Sequence, residues 1–466
     1  MKKYESYTIC PSLWNKEFPS HWCVLPMYAV AKEKSICNCV DLPLLSVYLD
    51  VGVVPFSAKA EKRTNVTSKD LSKYQRVDFG DFVLNNQQAW RGSVGISFDT
   101  GIVSPAYVVL SMNDYLDSRY ANYLFRSRIM VEQYLINSKS VGSIQRNIYW
   151  SALKRTKVLI PFRDEQDQIV RFLDWKVSSI NKLISNYRHQ IALLGEMKQQ
   201  RIDKAVVKGL HERSFIHNDD IRWDIDYPEH WQIRRIRESF SFRKGLSITK
   251  ANLEETGIAV ISYGQIHSKK NSGVGLNEEL IRYVNKTYLT TNRSCLVEKG
   301  DFIFADTSED VSGCGNYAYV DRDDTIFAGY HSIIAHPAGS TNNKYLAYLF
   351  KSPTWRCQIR KKVNGVKVYS ITQAMLKDAF ILIPPATEQE EIVRHLDEVC
   401  AKIDAIIKKM EEKIENLQDL KIRLITDTVT GKIDVRGIEI PEYEFVEETI
   451  DGDSEDCEEE TEEQED

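Results

Sequence analysis

The sequence lacks the signatures of most enzyme classes. No Gly-x-x-x-x-Gly-Lys-Ser/Thr occurs, because Gly431-Lys432 is followed by Ile433, so there is no P-loop to cradle phosphates. No proline precedes an aspartate, which removes the usual Pro-Asp opening of a nuclease site, and Gly-x-Ser-x-Gly is missing. Ile383-Pro384-Pro385-Ala386 has the paired prolines of an amino-methyltransferase box but neither its amide or carboxylate nor its stacking ring. It reads as the start of a helix. The nine histidines have no metal-ligand spacing, and the nine cysteines include no Cys-x-x-Cys; Cys37 and Cys39 form the only close pair. Reduced thiols in a cytoplasmic protein are expected. No run approaches the ~18 apolar residues of a membrane span. The opening MKKYESYTIC has no apolar core behind its lysines, so no signal peptide is expected. The chain is therefore expected to carry no catalytic residues, no metal and no cofactor.

The 466 residues do hold enough apolar side chains, 42%, to build two to four cores. The net charge of −6 conceals a division. Residues 442–466 hold 15 acidic residues and no lysine or arginine. In residues 1–441, 61 basic residues face 52 acidic ones, a net +9. A basic body suits a polyanionic partner. The tail, 438–466, is expected to be acidic and disordered on its composition.

The chain repeats itself at a period near 220 residues. FPSHW (Phe18 to Trp22) returns as YPEHW (Tyr227 to Trp231), and GDFVL from Gly80 as GDFIF from Gly300. YLFRS from Tyr123 returns as YLFKS from Tyr348, and LIPFRDEQDQIVRFLD from Leu159 as LIPPATEQEEIVRHLD from Leu382. The order is the same in both halves. Each copy predicts a globular part, 1–157 and 213–380, followed by a helical region, 158–212 and 381–437. The globular parts read as mixed α/β, with short β-rich runs such as Ile102 to Leu110 and Gly257 to Ile266 and helical patterns such as Ser118 to Leu135.

The helical regions carry matching seams. Leu173, Val177, Ile180, Ile184, Tyr187, Ile191 and Leu194 alternate four and three residues apart, and Leu396, Cys400, Ile403, Ile407, Met410, Ile414 and Leu417 do so in the same phase. Each helix should run about 45 residues, roughly 67 Å. Thr387 and Glu390 have the spacing of a capping box, and Gly209 and Gly431 suit helix ends. A narrow apolar stripe on so long a helix needs a partner, and the other copy is the nearest one.

Polar, basic and aromatic loops precede the helices: Ser138 to Lys154, and Arg360 to Lys377. Gly142 aligns with Gly365. Lys139, Gln145, Arg146 and Asn147 answer to Lys361, Lys362, Lys367 and Tyr369, with Ser143 and Asn364 beside the glycines. Arginine and lysine neutralise phosphates or pair with guanine, and glutamine and asparagine pair with adenine. A second candidate surface is Asn85 to Gly95, with Gln87, Gln88, Trp90 and Arg91. Its counterpart, Ala305 to Gly315, is acidic. Ser57 to Asn65 and Ser268 to Gly273 are further basic loops.

The duplicated order of these motifs, together with TGKIDVRG at Thr430 to Gly437, resembles the specificity subunit of a type I restriction-modification system over about 1–437. The resemblance implies an α+β chain of two target recognition domains in pseudo-twofold tandem, joined by two long helices in an antiparallel coiled coil. It implies a noncatalytic, DNA-binding subunit that reads a bipartite, asymmetric site in double-stranded DNA. The partners it implies are two methyltransferase subunits, which hold S-adenosylmethionine, and restriction subunits, which use ATP and Mg; no membrane is involved. Two other classes remain compatible with the residues themselves: a self-contained methyltransferase or nuclease, and a coiled-coil adaptor without DNA affinity.

Overall fold

The computed structural model describes residues 2–10, 13–14, 16–49, 51–56, 70–141, 145–211, 213–220, 223–365 and 368–447. The chain forms two compact units. The first comprises residues up to His189 together with those from Met410 onward, and the second is Gln190–Lys409. Among the described residues no helix is long and apolar enough to cross a membrane.

In the first unit a four-stranded antiparallel sheet has β1 (Ala31–Lys34), β2 (Phe82–Asn85), β3 (Val94–Ile96) and β4 (Tyr107–Met112) in the order β1-β4-β2-β3. Helices α1 (Ser118–Arg126) and α2 (Arg128–Ile136) follow, then the hairpin β5 (Ser138–Val141) and β6 (Gln145–Ile148). Helix α3 (Arg163–Lys208) starts in this unit and passes into the second.

The second unit repeats the plan. Strands β7 (Phe240–Lys244), β8 (Phe302–Ala305), β10 (Tyr317–Tyr319) and β11 (Ser332–Pro337) pair as β7-β11-β8-β10. The short helix α4 (Tyr263–His267), the short strand β9 (Thr307–Ser308), helices α5 (Asn343–Lys351) and α6 (Pro353–Arg360), and strand β12 (Tyr369–Ser370) surround this sheet. A five-stranded sheet built on Ile258–Ile261 and Ile326–Ala328 is added beside it. Helix α7 (Ala386–Val429) leaves the second unit and returns to the first.

The repeated motifs are the joints of this plan. Each Gly-Asp-Phe opens the second strand of its sheet. Gly80 and Gly300 take φ of +87° and +100°, a turn that favours glycine. The following aspartate is buried and accepts from the amide three residues back: Asp81 from Asp78 at 2.8 Å, Asp301 from Glu298 at 2.9 Å. The strand after each His-Trp pairs antiparallel with the strand that feeds the long helix, Cys23–Pro26 with Lys157–Ile160 and Gln232–Arg235 with Phe380–Ile383.

The Glu-Gln at each helix start is a lock. Gln166 accepts from the Asp117 amide at 2.7 Å and donates to the carbonyls of Pro161 and Tyr115, both at 2.9 Å. Gln389 accepts from the Asn342 amide and donates to the Pro384 carbonyl, both at 2.7 Å. Asp117 and Asn342 in turn cap α1 and α5. Glu165 lies 2.7 Å from His21, and Glu388 lies 2.8 Å from His230. Because α7 begins at Ala386, Thr387 lies inside the helix, and the Gln389 lock rather than a capping box fastens its start.

Each unit also holds the end of the other long helix. Gly209 ends α3 at φ +75° against the ring of Trp231, and Gly431 follows α7 at φ +74° against Pro19 and Trp22. Both ends are left-handed turns that favour glycine, and a Cβ at Gly431 would clash with the Pro19 ring. The paired helices run antiparallel within each unit. In the first unit Lys413 lies over the Tyr187 ring at 5.4 Å, and Lys421 reaches the Asn181 side chain at 3.5 Å. In the second, Lys198 bonds Asp404 at 2.6 Å, and Gly209 lies beside Glu388. The fourteen seam residues are all buried or half-buried, whereas Leu183, Leu193, Met197, Ile406 and Leu420 face solvent. Leu173, Ile180 and Ile184 share the first core with Leu424, Ile414 and Leu417. Leu396 and Cys400 share the second with Ile202 and Val206. A fully buried side chain of this kind contributes about 1.5–3 kcal/mol.

The expectation of a disordered tail from residue 438 is corrected for 438–447. Ile438 and Ile440 pack on the first core. Ser178 accepts from the Val446 amide at 2.7 Å and donates to the Glu444 carbonyl at 2.9 Å, and Asn181 donates to the Val446 carbonyl at 3.1 Å. The stretch is acidic yet held, because its backbone finds polar side chains on α3 and Glu444 pairs with Lys182 at 3.0 Å. The rest of the tail, 448–466, lies outside the described residues.

Candidate nucleic-acid interface

Two sequence stretches far apart in the chain meet in each unit. In the first, the turn after β2 carries Gln87, Gln88 and Arg91, all exposed. The Ile148 amide on β6 donates to the Asn86 carbonyl at 3.2 Å and ties the β5–β6 hairpin to that turn. Trp90 is half-buried; its indole donates to the Gln87 carbonyl at 2.9 Å, and the Arg91 guanidinium lies 5.3 Å from its ring. Trp90 therefore orients the turn rather than offering a bare face. Lys139 is exposed on β5, 6.0 Å from the Tyr149 ring. Gln145 stands on β6, and Ser143 lies outside the described residues. Arg146 reaches the Leu135 carbonyl at 3.5 Å. Asn147 and Asn86 each hold a buried side-chain oxygen with no hydrogen-bond partner among the described residues, two polar atoms at the junction of the two stretches.

In the second unit β9 pairs antiparallel with β12, Ser308 opposite Tyr369. The Ile371 amide donates to the Asp306 carbonyl at 2.7 Å, and Arg360 donates to the Ser312 carbonyl. The acidic segment and the basic loop are thus one surface. Lys361 and Asn364 are exposed and Tyr369 is half-buried, while Lys367 lies outside the described residues. Lys362 is engaged within the fold. Its ammonium is held by Asp378 at 3.0 Å, and Asp378 also takes Arg235 at 3.0 Å. Lys362→Ala should therefore lower stability as well as any affinity for phosphate.

Residues that the sequence reading passed over join this surface. The Tyr263 ring at the start of α4 lies 4.7 Å from the His267 ring and 6.3 Å from that of His331. His267 lies 2.9 Å from the Thr307 carbonyl and 3.0 Å from the Asn316 amide. His331 takes φ +53°, a conformation uncommon for non-glycine residues that clusters at functional sites, and its ring meets Asp306 at 3.1 Å. Burial, and then the charge of Glu309, pushes the Tyr263 hydroxyl up. The Ser312 hydroxyl and then the Gly313 amide hold Asp310 below the usual carboxylate range. Arg356 is half-buried and bonded to Asn316 at 2.7 Å and to the Phe350 carbonyl at 3.0 Å, and desolvation lowers its pKa to about 10. The Glu and His residues here have no spacing that would have announced them; tertiary pairing alone gathers them. Basic loop Ser57 to Asn65 lies outside the described residues.

The surface can offer cations to phosphates and amides and carboxylates to base edges. Comparison with known proteins bears on this directly. The model of the type I restriction modification DNA specificity domain matches residues 32–192 and again 228–416. The type I restriction enzyme MjaVIII specificity subunit of Methanocaldococcus jannaschii is 22% identical over 380 residues, covering 79% of this chain and 84% of that protein. The EcoKI specificity subunit of Escherichia coli is 24% identical over 308 residues, covering 64% and 62%. A chain from a solved structure concerned with complex assembly and conformational transition of the type I R-M system superposes with a TM-score of 0.61 at 14% identity. The match covers 89% of this chain and 99% of that one, and it shows a shared fold.

Proposed function

Because the chain belongs to the type I restriction-modification DNA specificity family, whose domain it carries twice, we propose that it is the noncatalytic DNA-reading subunit of a methyltransferase and restriction complex. Each unit reads one half of a bipartite, asymmetric site in double-stranded DNA. The two long helices set the gap between the half-sites. Methyltransferase subunits bring S-adenosylmethionine, and restriction subunits, where they join, bring ATP and Mg. One observation carries the reading: on two scaffolds that share a four-stranded sheet and its joints, the turn after the Gly-Asp-Phe strand and the loop before the long helix form one surface, and the residues on it differ in charge between the copies. A duplicated scaffold with divergent loops suits the reading of two different sequences.

The test is reconstitution with methyltransferase subunits, followed by sequencing of the methylated sites. The complex is expected to mark one two-part motif, and the chain alone none. Inserting one heptad after Tyr187 and one after Met410 adds about 10.5 Å of helix and keeps the seam in phase. The gap should lengthen by up to about three base pairs at 3.4 Å each, with both half-sites unchanged. Methyl transfer by the isolated chain, or a folded insertion variant that keeps the original gap, would overturn the proposal.

A further inference from the structure

The segment after β8 is where the two units differ in sign of charge. The first unit has Gln87, Gln88 and Arg91 there, and the second has Asp306, Glu309 and Asp310. On a surface that receives a polyanion, a carboxylate weakens binding unless a donor compensates it. Two of the three have donors within the fold. Asp306 faces the His331 ring at 3.1 Å. Asp310 accepts from the Ser312 hydroxyl at 2.5 Å and the Gly313 amide at 2.7 Å and so closes its own turn. Glu309 differs. It is exposed, and the Tyr263 hydroxyl reaches it only at 3.3 Å, which is long for a bond between oxygens.

The segments tied to Glu309 carry positive charge. α4, bonded to β9 through His267, is followed by exposed Lys269, and α6, bonded to Ser312 through Arg360, is followed by exposed Lys361. Cations on segments bonded to the turn suit phosphates, and an exposed carboxylate suits a base edge. A carboxylate only accepts. In the major groove it meets a donor at cytosine N4 or adenine N6, and it meets acceptors at guanine O6 and N7 and thymine O4.

Resting on the reading of this chain as a DNA specificity subunit, we propose that Glu309 is a specificity-determining residue of the second unit, which accepts a hydrogen bond from the exocyclic amino group of a cytosine in the major groove. The Tyr263 hydroxyl, 3.3 Å away, meets one carboxylate oxygen and leaves the other for the base.

The test uses the full chain reconstituted with methyltransferase subunits and S-adenosylmethionine, acting on a library of randomised duplex, with methylated sites read by sequencing. If the unaltered complex marks no two-part motif, the proposed function falls and this assignment with it. Given such a motif, Glu309→Gln is expected to alter one position of one half-site. A glutamine amide pairs with adenine, so cytosine should give way to adenine there, with discrimination changed about tenfold. Glu309→Ala should relax the same position, and the other half-site should stay as it was. Both variants should melt with the parent, since the side chain is exposed. An unchanged motif in Glu309→Gln, or a change spread over both half-sites, would overturn the assignment while leaving the proposed function standing.

Discussion

Gln166 makes three hydrogen bonds in the first unit and Gln389 makes two in the second, yet both fasten a long helix to the cap of a helix in the preceding globular part. His21 and His230 meet their glutamates within 0.1 Å of the same distance. By contrast, the turn at Gln87 to Arg91 and the turn at Asp306 to Asp310 share no chemistry. The joints are buried and must satisfy polar groups in one fixed geometry, so they resist change. The turns stand on the surface and are free to differ.

The largest effect should come from breaking the locks. Gln166→Leu leaves two carbonyls and an amide without partners and should cost about 3–5 kcal/mol. Gln389→Leu leaves one fewer and should cost about 2–4 kcal/mol. Denaturant unfolding of both variants measures the difference, and equal losses would mean that the Tyr115 carbonyl bond adds nothing. Next in size are the divergent turns. Arg91→Ala should weaken DNA binding by the reconstituted complex by about 1–3 kcal/mol and relax one base position, whereas Lys361→Ala should weaken all sequences alike and lower the salt slope by about one. Binding titrations against salt, on matched and mismatched duplexes, separate the two. The smallest effects should come from the tail. Ending the chain after Gly437 removes Ile438 and Ile440 from the first core and should cost about 1–2 kcal/mol. Ending it after Glu447 should leave the melting temperature unchanged.

What could be read in advance was periodic or repeated. The seam residues from Leu173 to Leu194 announced their burial because a helix has one period, and the second copy showed the same phase. The Gly-Asp-Phe turns and terminal glycines were visible because few residues tolerate those backbones. The surface was less legible. Lys362 looked like a phosphate ligand, but its partner Asp378 sits sixteen residues on, beyond any local pattern. Tyr263, Glu309 and His331 belong to three separate segments and meet only through the sheet. Residues 438–447 are held in place although their composition reads as a tail, because composition counts charges and does not register Ser178 and Asn181 on α3.

The way the first unit is closed reverses the order in which the molecule can be finished during synthesis. Tyr4, Phe18 and Trp22 share a core with Leu424, Val429 and Val435, and the Tyr7 hydroxyl donates to the Gly431 carbonyl. The second unit, Gln190–Lys409, is one continuous stretch and has all its own joints once Lys409 has been made. At about 5–20 residues per second, the closing residues Leu424 to Val435 follow Gln190 by roughly twelve to fifty seconds. The half of the protein that is born first must therefore wait, with apolar surface open, until the far end of α7 has been made.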